Sequence, residues 1–399
     1  MSSEYDDIYR QLEETFVPAD DAFWDDQSVV MGSEQEKLRG LFDNLKRRTR
    51  RWESSGPCMY RGCKKLSIRR SHAIHRAGSI ESIAENQHVL TPRRDNQGQM
   101  MMERIGVNVA STFPGFCEEH EQLFSEFEVP GAISAPRHVA LQAFRTLCRE
   151  IENKRQGLRE AEEVLQTYRD ARERYYREAV SKALPDSRAG ELTIEGDAME
   201  ERIVSLIESG RADLPELEGD LYTELFEFIS GTTIAEPSLQ ALSLPIEVAV
   251  CCSGFGVLTY EYWGDKARAL CLFGILPQSG STLVFFGAAR KHAIVVDKYV
   301  DDMKIGFGAL NAMESWLTNG SDHWFIRPSS WKALSPVRQA KVIDLLTSYE
   351  DNIATFLDFS ILDEARRNLI RLVRDHLSEA DDQEAVLKML DTEESKMLQ

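Results

Sequence analysis

The runs 245-PIEVAVCCSGFGVLTYEYW-263, 269-ALCLFGILP-277, 281-STLVFFGAA-289 and 292-HAIVVDKY-299 decide the fold class of this chain. Each is rich in Val, Ile, Phe or Tyr and is bounded by Gly, Ser or Pro, the composition of strands separated by turns. They read as an antiparallel sheet of about four or five strands that begins near residue 239. Helices are expected at 297–318, 329–349 and 361–378, with a short strand in 323-HWFIRP-328 between the first two. Strands followed by helices indicate an α+β fold rather than an alternating α/β one. The chain contains neither a GxxxxGK[ST] loop nor a GxSxG elbow. Gly254-Phe255-Gly256 and Gly306-Phe307-Gly308 also lack the strand-turn-helix setting of a nucleotide site.

Upstream lies the longest periodic stretch, 138–187. Leu141, Phe144, Leu147, Ile151, Leu158, Ala161, Val164 and Tyr168 keep spacings of three, four or seven. That pattern predicts a long helix paired with 194–230 in a coiled-coil-like hairpin. Such a helix serves either as a scaffold or as a surface for self-association or a protein partner. At the other end, Ser33 and Glu36 have the spacing of a capping box, so a helix is expected over 33–53. The resulting division is an acidic arm and basic helix (1–55), a Cys-rich zinc segment (56–135), a helical region (136–235), an α+β domain of unassigned role (236–380) and an acidic tail (381–399).

Charge is distributed unevenly. The net charge is −19, yet Lys46 to Arg94 holds 13 Lys or Arg against Glu53, Glu81 and Glu85. A basic module on an acidic scaffold is the sequence footprint of nucleic-acid contact, whereas the acidic total excludes a protein that coats nucleic acid along its whole length. No apolar run reaches the roughly 18 residues of a membrane helix. The opening residues also lack a signal peptide, so a cytoplasmic protein is expected. The seven cysteines are odd in number and widely spread, unlike a disulfide framework. Cys148, Cys251, Cys252 and Cys271 stand in apolar contexts and read as buried fillers.

The other three cysteines fall where a metal wants them. Cys58 and Cys63 bracket a short turn containing Gly62, and Cys117 and His120 are three apart at the start of an expected helix. Thiolate and imidazole are preferred zinc ligands, and four of them close a structural site. One pair in a knuckle and one at a helix N-terminus is the layout of a treble-clef finger. Arg61, Lys64, Lys65, Arg69, Arg70 and Arg76 flank it as candidate phosphate contacts for DNA or RNA. The alternative for these cations is a solvated face or docking on the acidic remainder of the chain. Trp52 and Tyr60 are placed either to stack on bases or to pack beneath the finger.

The segment resembles the treble-clef, ββα-metal class that includes HNH nucleases. It is most similar to bacterial proteins with a C-x4-C…SHxI…GFCxxH signature, seen among phage-defence genes. The matching residues are Cys58 and Cys63, Ser71-His72-Ala73-Ile74, and Gly115-Phe116-Cys117-Glu118-Glu119-His120-Glu121. The resemblance implies an endonuclease in which His72 is the general base and Glu121 holds a catalytic Mg²⁺ or Mn²⁺. Two positions depart from the pattern. Ser71 stands where an acidic metal ligand is expected, and Asn108 is only a loose match to the middle Asn. His75 is a second base, a phosphate contact or neither. The other reading is a non-catalytic zinc module that binds nucleic acid or protein, or a structural scaffold. In the C-terminal region Asp322 and His323 lack a nucleophile motif and read as strand-edge packing, and Trp316, Trp324 and Trp331 read as core.

Overall fold

The structure is a computed structural model. It describes residues 55–94, 99–129, 131–183, 197–262, 265–348, 352–380 and 382–398. The expected arm and helix of 1–53, the basic cluster of 46–51 and Trp52 lie outside the described residues.

The chain divides into two compact units. Described parts of the first are mainly 153–183 and 197–214, a helical pair. Here the predicted long helix runs as α2 (Pro136–Ala183), of which residues from Asn153 onward belong to this unit. Its partner is α3 (Ala198–Glu216). Ala161, Val164, Tyr168 and Ala171 on one side meet Met199, Ile203 and Ile207 on the other. Spacings of three and four put each set on one helix face. Tyr168 Oη donates to Asp197 Oδ2 at 2.6 Å, and Arg169 and Arg172 both engage Glu200. The pairing is therefore an apolar seam edged by ion pairs.

The second unit holds 52–93, 100–152 and 215–399. It is α+β and contains a mixed-origin sheet of seven strands. Strand β1 (Ser71–His72) pairs separately with β4 (Thr112–Phe113). The large sheet has the order β3-β2-β9-β6-β7-β8-β5. Its members are β2 (His88–Arg94), β3 (Met100–Gly106), β5 (Leu239–Leu244), β6 (Val250–Tyr262), β7 (Asp265–Gln278), β8 (Ser281–Ala288) and β9 (Trp324–Ile326). The expected antiparallel sheet is present, with β6–β7 and β7–β8 as consecutive hairpins. It extends further than the sequence indicated, because Leu90 of β2 pairs with Ile326 of β9. Strands on both sides of the long helix thus share one sheet.

The run 292-HAIVVDKY-299 is a correction. It forms no strand but opens α5 (Ala293–Met303), whose buried residues are Val296, Tyr299, Val300 and Met303. That spacing is helical, and the three β-branched residues Ile294, Val295 and Val296 were too short a sample to show it. Trp316 stacks on Phe273 at 4.9 Å and on Phe286 at 5.7 Å, which places it at the centre of the core. Trp324 is fully buried and Trp331 nearly so, as read from the sequence. The four apolar-context cysteines are also fully buried. His323 is buried and donates from Nδ1 to the Ser253 carbonyl at 2.7 Å. The glycines of 254–256 serve packing. A Cβ at Gly254 would lie 2.2 Å from Ser321 Oγ, and one at Gly256 would lie 2.5 Å from Ile353 Cγ2.

Candidate metal centre

The knuckle is built by backbone bonding. Cys63 N donates to Tyr60 O at 3.0 Å, Cys58 N to Lys65 O at 3.0 Å, and Gly62 takes a φ of +81°. A positive φ is strained for residues with a Cβ, which explains glycine at the tip. The second pair sits on α1 (Glu118–Glu121), where Cys117 is the residue preceding the first turn. Ile68 N donates to Phe116 O at 2.7 Å and Met59 N to Gly115 O at 2.9 Å, which draws the two halves together.

The ligand atoms of Cys58, Cys63, Cys117 and His120 all lie within 4.8 Å of one another. His120 Nδ1 is 3.2 Å from Cys117 Sγ and 3.5 Å from Cys58 Sγ, and the Cys63 and Cys117 sulfurs are 3.9 Å apart. Ordinary Zn–S and Zn–N bond lengths put tetrahedral ligands about 3.6–3.8 Å apart, so this donor set fits a zinc-like ion. Backbone donors support the sulfurs. Cys117 N donates to Cys58 Sγ at 3.3 Å and Lys65 N to Cys63 Sγ at 3.4 Å. Burial pushes the Cys58 thiol up to about 11. For Cys117 burial is overcome by the backbone of His120 and the neighbouring thiols, and its thiol lies below the ordinary value. A dicationic metal removes the Cys58 penalty by holding the thiolate.

Aromatic side chains fix the imidazole. Tyr60 stacks on His120 with ring centroids 4.0 Å apart and planes within 10°. Its other contact is Phe226 of α4 (Tyr222–Ile229) at 4.9 Å, edge-on. Tyr222 Oη donates to Met59 O at 2.6 Å. Tyr60 is accordingly part of the packing beneath the ligands.

The two residues implied as catalytic lie nearby, in different settings. His72 Nδ1 is 3.0 Å from Ala110 O. A carbonyl only accepts, so Nδ1 carries the proton and Nε2 the lone pair. Burial foremost, with Arg145 and Arg76 in addition, lowers the His72 pKa to about 4. Glu121 bonds Arg145 Nη2 at 2.8 Å, and Arg145 Nη1 reaches Glu128 at 2.6 Å. Arg145 is fully buried, with its guanidinium 3.8 Å from the centre of the Phe124 ring. Burial pushes the Glu121 carboxyl up in spite of that cation. Ser71 is fully buried and its Oγ accepts from Phe116 N at 3.3 Å. His75 is buried, and burial lowers its pKa. Asn108 accepts from Arg76 at 3.0 Å.

A protonation test follows for His72. Its folded pKa is depressed, so the folded state disfavours the charged ring. The corresponding stability is present above the unfolded value of about 6.5 and is lost as pH falls towards 4. The His72 ring resonances should therefore remain those of a neutral imidazole at pH 6 and titrate near 4. A midpoint near 6.5 would contradict the burial.

The six candidate phosphate contacts separate into two groups. Arg61 is held against α4, donating to Thr223 at 2.8 Å and lying over Tyr222 and Phe226. Lys65 pairs with Glu119, and Arg76 with Glu81. Lys64, Arg69 and Arg70 are exposed, and none has an ion-pair partner among the described residues. Sequence reasoning missed Arg145. Its signal was present, because position 145 falls on the apolar stripe of Leu141, Phe144 and Cys148. No helix of the described residues is long and apolar enough to cross a membrane. No protein-family model matches the chain, and neither a curated protein nor a solved structure is significantly similar to it.

Proposed function

We propose that residues 56–135 form a treble-clef zinc finger whose zinc is structural, and that the protein uses this module to bind nucleic acid. The observation that carries the reading is the set of three sulfurs and one imidazole nitrogen, gathered at zinc-ligand separations. Four protein ligands leave no position for water or substrate, so the ion staples rather than catalyses. The module offers Lys64, Arg69 and Arg70 to phosphates. Contacts of this kind are sequence-independent and salt-sensitive.

The test is fluorescence anisotropy with DNA and RNA oligonucleotides over a salt series. Each phosphate contact contributes about −0.9 to the slope of log K against log salt. Arg69→Glu with Arg70→Glu should weaken binding and flatten that slope by about 2. Equal affinity and slope in the double variant would sink the reading, provided its metal content matches that of the parent.

A second reading is the HNH-like, Mg²⁺- or Mn²⁺-dependent endonuclease of phage defence that the resemblance implies. The orientation of His72 favours it, since an Nε2 lone pair is what a general base presents. Two features weigh against it. A base with a pKa near 4 takes a proton poorly at neutral pH, and the Glu121 carboxylate is already neutralised by Arg145. If this reading holds, metal-dependent nicking will disappear in His72→Ala with zinc content unchanged.

A further inference from the structure

Away from the zinc ligands, three chemically matched side chains of the second unit meet, Glu216 being the last residue of α3 and lying past the first unit's boundary at Leu214. Tyr260 lies near the end of β6, His292 in the turn before α5, and Glu216 ends α3. Tyr260 Oη is 3.2 Å from His292 Nδ1, and His292 Nε2 is 3.1 Å from Glu216 Oε1. One proton arrangement satisfies all three. A carboxylate only accepts, so Nε2 carries the imidazole proton; Nδ1 then holds the lone pair, and the phenol donates to it. This is the order of nucleophile, base and orienting acid that activates a weak nucleophile. The group is reachable from solvent. The His292 and Glu216 side chains are 12% and 23% exposed, and Lys291 and Asp220 beside them are 51% and 60% exposed.

We propose that Tyr260, His292 and Glu216 form a nucleophilic relay that accepts an acyl group from an uncharged activated ester. The surrounding charge selects that class. Lys291 lies 3.6 Å from Glu216 and 3.3 Å from Asp220, so two carboxylates face one ammonium. Glu224 accepts from the Arg290 backbone N–H at 2.9 Å and also interacts electrostatically with the Arg290 guanidinium, so the next cation is offset by a carboxylate. Cys271 also senses Glu216, but burial holds its thiol protonated. A net negative surround repels a phosphate ester and tolerates a neutral acyl donor.

The step balances as follows. Tyr260 Oη bonds to the acyl carbon while its proton passes to His292 Nδ1. The bond to the leaving alcohol breaks, and the alcohol departs with that proton, which leaves an aryl ester on Tyr260. Water, deprotonated by the same imidazole, then releases the acid and restores the phenol. Glu216 acts through His292 as a positioning residue.

The experiment treats the full chain with p-nitrophenyl acetate, follows p-nitrophenolate release and maps acetyl groups by peptide mass spectrometry. Tyr260 should be acetylated at least about tenfold faster than the chain's other tyrosines. In His292→Gln the Tyr260 rate should fall by about 10²-fold. Glu216→Gln should slow acetylation of Tyr260 with part of the rate recovered in Glu216→Asp, and Tyr260→Phe should remove the acetyl-tyrosine. Acetylation confined to lysines would overturn the proposal. So would a Tyr260 rate unchanged in His292→Gln, which is the result expected if the three residues only brace the fold.

Discussion

Replacing Cys117 with serine should abolish metal retention and unfold the knuckle, the largest single-residue effect expected in this protein. Cys117 is 3% exposed, and its sulfur lies within 3.9 Å of Cys63 Sγ and 3.2 Å of His120 Nδ1. Serine is a poor zinc ligand, and the site would be left with three. Structural zinc binding in finger peptides is worth about 10–16 kcal/mol at neutral pH. That matches or exceeds the whole folding free energy of an ordinary domain, about 5–15 kcal/mol. Metal content measured by mass spectrometry should fall from about one ion per chain to near zero. Amide protection should collapse over 56–128, since the bonds from Cys58, Met59 and Ile68 to Lys65, Gly115 and Phe116 all depend on the closed knuckle. Removal of metal by a strong chelator should reproduce the loss. Cys148→Ala, a change at a buried thiol outside the ligand set, should leave the metal in place. Unchanged zinc content in Cys117→Ser would refute the ligand assignment.

The second large effect concerns Arg366, in α8 (Asp363–Asp375, which follows helices α6, Gly308–Ser315, and α7, Pro336–Thr347). Arg366 is fully buried and bonds Glu314 at 2.6 Å, Ser360 Oγ at 3.1 Å and Glu393. Glu393 belongs to α9 (Gln383–Lys396), so one guanidinium ties the terminal helix to the core. Glu314 Oε1 also accepts from the backbone of Ile361 and Leu362 at 2.8 and 2.9 Å. Arg366→Leu removes the cation that both carboxylates share, leaving buried Glu314 without its charged partner while Lys396 stays 3.1 Å from Glu393. Loss of one partner from such a group costs about 3–5 kcal/mol. The urea midpoint should fall accordingly, with exchange of 383–396 accelerated first. Adding Glu314→Gln to Arg366→Leu should recover part of the loss, because it removes an unpaired charge. Strict additivity of the two changes would show that the residues act independently.

Much of this was legible in the residues. Strand composition with Gly and Ser punctuation marked β6, β7 and β8, since those features depend on a few neighbours along the chain. The periodicity of 138–187 located α2 to within a few residues of Pro136–Ala183 for the same reason. The zinc candidates were readable because a ligand pair needs a fixed local spacing: Cys58 with Cys63 across a turn, and Cys117 with His120 on one helix face.

Local spacing has limits at 292–299, where β-branched content outweighed a helical period that becomes visible only when Tyr299, Val300 and Met303 are counted. It also could not show that Leu90 and Ile326, more than two hundred positions apart, would pair in one sheet. The convergence of Tyr260, His292 and Glu216 was equally hidden, because none of the three has a partner nearby in sequence.

Residue chemistry and short-range spacing thus specified which elements form and which side chains can hold a metal. Tertiary packing decided what each charge is used for. Arg61, Lys65, Arg69 and Arg70 look alike in a basic segment. Yet Arg61 is spent on the rings of Tyr222 and Phe226 and Lys65 on Glu119, while Arg69 and Arg70 stay in solvent. The physical reason is range. A helix turn or knuckle is set by bonds across a few residues, whereas burial and charge pairing depend on groups that only the folded chain brings within about 4 Å.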